Sequence, residues 1–201
     1  MKRRSFWWVG IVAIALALSV LLSNAWQLGW EAAPVNSFSI AQETPEAEAP
    51  AETALPIAGS YEDPQGNFQV GLLEGYITNS AAGSPLFQSG DGSLAYSVIR
   101  VPLNNETPLS EIGLVEIAQQ TLGQGEGFQT RTFNTVPEGG LQIDWIGRLS
   151  QGSAPPKPVS GTILAKQQGL AVYLLVVAAL DEAVDQVPAA ISTLADTLII
   201  L

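Results

Sequence analysis

Gln168-Gly169-Leu170-Ala171-Val172-Tyr173-Leu174-Leu175-Val176-Val177-Ala178-Ala179 is the stretch whose reading decides the fold. Gln168-Gly169 makes a tight turn, and the residues after it are apolar almost throughout. A strand that does not alternate has no solvent face. This one is therefore predicted to be central in a sheet and covered on both sides. Upstream, a Pro- and Gly-rich loop from Gln151 to Pro158 leads into a further strand, Val159 to Lys166.

The segment from Leu141 to Ser150 does alternate. Leu141, Ile143, Trp145 and Leu149 face one way; Gln142, Asp144, Arg148 and Ser150 face the other. Pro137-Glu138-Gly139-Gly140 turns into it from a strand over Phe128 to Thr135. Nearer the N-terminus, Pro85 to Ser89 and Ser93 to Val101 flank Gly90-Asp91-Gly92, a hairpin signal. Phe68 to Leu72 and a short stretch around Tyr76 to Thr78 are also extended. Asp63-Pro64-Gln65-Gly66 before them has Pro second and Gly fourth, a type I turn preference.

Two helices interrupt the strands. Thr107-Pro108 opens the first, with Ile112, Val115, Ala118 and Leu122 as its apolar face and Gly123 as its stop. Gly113 inside it predicts the close approach of another backbone. The closing helix carries Val184, Val187, Ile191, Leu194 and Leu198, and Pro188 belongs in its first turn, which puts its start near Asp185. The sum is an α+β domain: an antiparallel sheet of about six strands with helices packed on it.

This order resembles the PsbP/Mog-like α/β/α sandwich. The local likeness lies in Tyr61-Glu62-Asp63-Pro64-Gln65-Gly66-Asn67-Phe68-Gln69-Val70-Gly71-Leu72-Leu73-Glu74-Gly75-Tyr76: an aromatic, a Gly-containing turn, a short strand, and a small-plus-aromatic pair. The resemblance covers roughly residues 59 to 200. It implies a lumenal or periplasmic accessory protein of a membrane complex, with photosystem II accessory proteins among its members. It carries over no catalytic motif. Metal-binding histidines known in parts of that family have no counterpart here.

Residues 1–25 hold Lys2-Arg3-Arg4, an unbroken apolar run from Phe6 to Leu22, and Ser23-Asn24-Ala25. This is an export segment, either a signal sequence or a signal anchor. The small residues suit cleavage before Trp26. Trp7 and Trp8 at one end, and Trp26 and Trp30 at the other, suit a retained N-terminal helix that holds the chain to a membrane with the bulk outside the cytoplasm. Residues 26–57 read as an extended acidic linker. They carry five glutamates, no Lys or Arg, and an Ala- and Pro-rich run from Thr44 to Pro56. The globular domain is then 58–201.

From Ala58 onward 14 acids face 5 bases. An anionic domain is repelled by nucleic acid, so nucleic-acid binding is set aside. The chain contains neither cysteine nor histidine. That removes disulfides, thiolate metal sites, the commonest general base and every Ser-His or Cys-His arrangement.

Individual residues read as structural. Asp181, Glu182 and Asp185 lack the glycine and flanking ligands of a calcium loop and suit a helix start. Asp144 and Arg148 share a strand face about 13 Å apart, so each is expected to pair across strands, for instance with Arg131 or a glutamate. Trp145 is expected in the core. Gly123-Gln124-Gly125-Glu126-Gly127 follows a helix and precedes a strand, the reverse of a phosphate cradle. Asn105-Glu106-Thr107 is a formal glycosylation sequon. No catalytic, cofactor-binding or metal residue is assigned, and the chain is expected not to be an enzyme. The sequence points to an extracytoplasmic accessory protein that docks to a protein partner in a membrane complex. The alternative is an extracytoplasmic small-ligand or lipid-binding module with a pocket between sheet and helix.

Overall fold

The computed structural model describes residues 54–81, 83–137, 139–150 and 155–201. The expected export segment, and the linker up to residue 53, lie outside the described residues. Among the described residues no helix is long and apolar enough to cross a membrane.

The domain runs β1 (Ile57–Glu62), β2 (Phe68–Leu73), β3 (Ile77–Ala81), β4 (Ser84–Gln88), β5 (Leu94–Pro102), α1 (Glu111–Leu122), β6 (Gln129–Thr135), β7 (Leu141–Leu149), β8 (Lys157–Gln168) and β9 (Ala171–Leu180). A 3-10 turn (Asp181–Gln186), α2 (Val187–Thr197) and β10 (Ile199–Ile200) complete it. The strands form two antiparallel sheets rather than one of about six. Seven pair in the order β3-β4-β5-β9-β8-β7-β6, and three in the order β1-β2-β10. The sequence reading did not assign β1 and β10. β1 is exposed along nearly its whole length and β10 is two residues long, so neither carries its own periodicity; pairing with β2 makes them strands.

The non-alternating stretch is central, as expected. β9 lies between β5 and β8, and all but one of its residues are buried. On one face Tyr173, Leu175, Val177 and Ala179 join Tyr96 and Val98 of β5 against Val187, Ala190, Ile191 and Leu194 of α2 and Phe68, Val70 and Leu73 of β2. On the other face Val172, Leu174 and Val176 join Ile143, Ile163 and Ala165 under Leu114 and Ala118 of α1. Helix, sheet and helix thus form three layers, with the small sheet extending the α2 side.

Local signals failed where long-range bonds competed with them. Helix α1 begins at Glu111 with Ser110 as its cap, because the Ser110 hydroxyl accepts from the Gly113 N–H at 3.2 Å. Thr107 and Pro108 lie upstream, where Gln167 Oε1 takes the Leu109 N–H and Gln167 Nε2 donates to the Thr107 carbonyl. Its covered face turns accordingly: Leu114 and Ala118 are buried, whereas Ile112 is 57% exposed. No foreign backbone approaches Gly113, whose nearest neighbour is the Leu109 side chain at 3.4 Å. Pro188 does sit in the first turn of α2, but the chain reaches it through the 3-10 turn. Leu149, expected on the buried face of β7, is 37% exposed near the strand end.

Candidate functional site

Helix α1 packs over β6, β7, β8 and β9. Beyond its end at Leu122, the same sheet face continues over β4 and β5 and the ends of β8 and β9. A groove of about 340 Å³ opens there, lined chiefly by aliphatic and aromatic side chains and small residues.

The ladder register explains its floor. Ala95 of β5 is opposite Ala178 of β9, Ala178 is opposite Gly161 of β8, and Gly161 is opposite Trp145 of β7. Gln88 of β4 extends the row past Ala95. Three small residues on adjacent strands therefore lie in one transverse line, with a large side chain at each end. Residues two positions away along a strand share its face. Val176 thus forms one bank of the trough, and Leu180 with Val159 forms the other.

Trp145 ends the trough. A Cβ placed on Gly161 would lie 3.0 Å from the indole Nε1, so the ring lies over this glycine. Phe128 packs against the indole at 5.4 Å between centroids. The indole N–H is buried and has no hydrogen-bond partner. Trp145 is only half-buried: it belongs to the sheet–α1 core and to the groove wall together, where a purely core position was expected.

The Gly123–Gly127 segment roofs this end. Gly125 and Phe128 close successive turns onto Leu122 and Gly125, and the Arg148 N–H donates to the Glu126 carbonyl at 2.8 Å. The segment is a helix stop tied to β7, in keeping with its rejection as a phosphate cradle. Glu126 and Arg148 are the charged residues of the lining, and the Glu126 carboxylate accepts from the Ser150 hydroxyl. At the opposite mouth, Ser93 donates to Asp91. Asp91 also accepts from the Ser89 hydroxyl and the Ser93 N–H, and these bonds hold its carboxyl near 2. The site offers apolar surface with Glu126 and Arg148 at one end and Asp91 at the other. A second hollow of about 390 Å³, beside Gln119, Phe128 and Thr130, has a polar rim whose Gln119 amide already donates to Thr130.

The other sequence candidates stand apart from the groove. Asp144 points to the opposite sheet face and accepts from the hydroxyls of Thr132 (2.6 Å) and Thr162 (3.1 Å), in place of the cation expected across the ladder. The β6 bulge between Thr130 and Phe133 shifts the register that would have set Arg131 opposite. Asp181, Glu182 and Asp185 are exposed in the 3-10 turn, and no acidic group among the described residues is arranged to hold a metal. Asn105 and Thr107 lie in an exposed turn closed by the Thr107 N–H on Asn105 Oδ1.

No family model matches the chain, and no curated protein matches it significantly. Among solved structures it is similar to the cyanobacterial PsbP (CyanoP) of Synechocystis sp. PCC 6803, with TM-score 0.48 and 13% identity over 71% of this chain and 91% of that one. It is also similar to the Ran-binding protein Mog1p of Saccharomyces cerevisiae, with TM-score 0.48 and 9% identity over 73% and 96% of the two chains. LpqN of Mycobacterium tuberculosis, involved in cell envelope biogenesis, gives TM-score 0.41 and 13% identity over 66% and 82%. These are likenesses of chain trace, and no residue's role is carried over from them.

Proposed function

We propose that this chain is a non-enzymatic accessory protein that works outside the cytoplasm. Its N-terminal segment keeps it beside a membrane, and it docks to a protein of a membrane complex that it helps to assemble or stabilise. The outermost strands β3 and β6 of the large sheet carry the reading: each is exposed along nearly its whole length, and among the described residues nothing pairs with its outer side. Exposed sheet edges of this kind serve recognition by taking up a further strand.

Photo-crosslinking in the native membrane tests it. A crosslinking residue at Thr78 on β3 or Arg131 on β6, both exposed on the outermost strands of the large sheet, is expected to capture a membrane protein. Capture of none, together with substrate turnover by the purified chain, sinks the proposal. The narrowness of the groove favours a second reading, an extracytoplasmic small-ligand or lipid-binding module.

A further inference from the structure

We infer that the groove takes one unbranched hydrocarbon chain, that of a free single-chain carboxylate amphiphile of the fatty-acid class. The inference rests on the second reading above and names its ligand.

Three features select this occupant. First, the floor strands β5, β9 and β8 are each paired on both sides, so their backbone groups are spent in the ladder. An extended peptide laid in the trough would bury its own amides without partners, whereas a hydrocarbon has none to satisfy. Second, the trough is narrow. Its banks, Val176 and Leu180, are four residues apart on β9, roughly 13 Å between backbones before their side chains are allowed for. An α-helix with its side chains is about 10–12 Å across and does not fit, but one extended chain does. Third, the trough is stopped. From Gln88 on β4 to Gly161 on β8, under the Trp145 indole, is three strand spacings, roughly 14 Å. A volume of about 340 Å³ is near the lower end of ligand pockets and suits one chain rather than two.

The charged rim orients the chain. Each end carries an acid, Glu126 at the Trp145 end, where its carboxylate accepts from Ser150, and Asp91 at the other. Among the described residues Arg148 is the one cation of the lining, and its aliphatic stem lies by Gly127 at the Trp145 end. The carboxylate head belongs there, and the tail runs over Ala178 and Ala95 toward Leu86 and Gln88. A bilayer phospholipid carries two chains and is not the occupant.

The test uses the full chain in its own membranes and dodecanoic acid bearing a terminal diazirine. Photolysis and peptide mapping are expected to place adducts on the segments around Leu86, Ala95 and Ala178. Ala178→Phe fills the floor and should cut this labelling by at least about tenfold, while Thr78→Phe on the exposed β3 leaves it unchanged. Ala95→Leu serves in place of Ala178→Phe if the latter loses its fold by circular dichroism. Excess unlabelled dodecanoate should remove the label and phospholipid vesicles should not. Labelling outside these segments, undiminished labelling of a folded floor variant, or displacement by vesicles each overturns the inference. Capture of a membrane protein from Thr78 or Arg131 is read separately, so loss of the lipid result leaves the docking proposal standing.

Discussion

The indole of Trp145 lies over the α-carbon of Gly161, its partner on the neighbouring strand, so the bulk of one residue fills the space the other vacates. A methyl group at Gly161 would run into the Val177 carbonyl oxygen and come 3.0 Å from the indole nitrogen. The carbonyl is ladder backbone and cannot swing aside. Gly161→Ala is expected to cost about 3 kcal/mol or more in urea unfolding. Gly59→Ala meets nothing within 4 Å and should stay within about 0.5 kcal/mol of the parent.

Trp145 itself divides ring packing from its N–H. The buried, unpartnered indole nitrogen makes no bond that a phenyl ring would lose. Trp145→Phe keeps a ring against Phe128 and should cost about 1 kcal/mol, against about 3 kcal/mol for Trp145→Ala. Equal losses in the two variants would show that the indole's edge, not its face, holds the wall.

Tyr96 ties the two sheets together. Its hydroxyl donates to the Gly71 carbonyl at 2.9 Å and accepts from the Leu73 N–H at 3.2 Å, both on β2. Tyr96→Phe strands two buried backbone groups and should cost about 2–3 kcal/mol by thermal or urea unfolding.

The same phenol predicts an alkaline limit. Burial pushes Tyr96 up to about 12, and burial with the charge of Asp91 does the same for Tyr76. An unfolded chain releases these protons from about pH 10, while the folded one holds them until about 12. Stability is therefore intact below pH 10 and falls as pH rises through that window. Tyr76→Phe should flatten the decline; an unchanged slope would place it elsewhere.

Asp91 sets the acid side. Hydrogen bonds from Ser89 and Ser93 lower its carboxyl to about 2 from 3.8. Its contribution is present above pH 3.8 and lost as pH falls toward 2. Asp91→Asn should remove that part of the acid titration and loosen the β4–β5 turn at the groove mouth, seen as faster amide exchange at Ser93 and Leu94.

The strands and helices were legible where each carries its own pattern. The β9 run has no polar face, the 85–101 hairpin has Gly-Asp-Gly at its tip, and Pro188 marks the first turn of the closing helix. The start of α1 was not legible, because Gln167, far along the chain, binds the residues before Ser110 and leaves the cap to that serine. The partners of Asp144 were hidden for a similar reason: a bulge in β6 resets which side chains meet it.

By itself the sequence determined the central place of β9, the antiparallel α+β class and the lack of thiol and imidazole chemistry, since these follow from residue types and short-range periodicity. Tertiary structure alone decided the groove. Ala95, Gly161 and Ala178 are unremarkable small residues one by one, and Trp145 reads as core. Strand order β5-β9-β8-β7 and its register set them in one line, and α1 ends before covering it. Local propensity carries no record of which strand will lie beside which, so the floor of that groove comes into being only when the sheet closes.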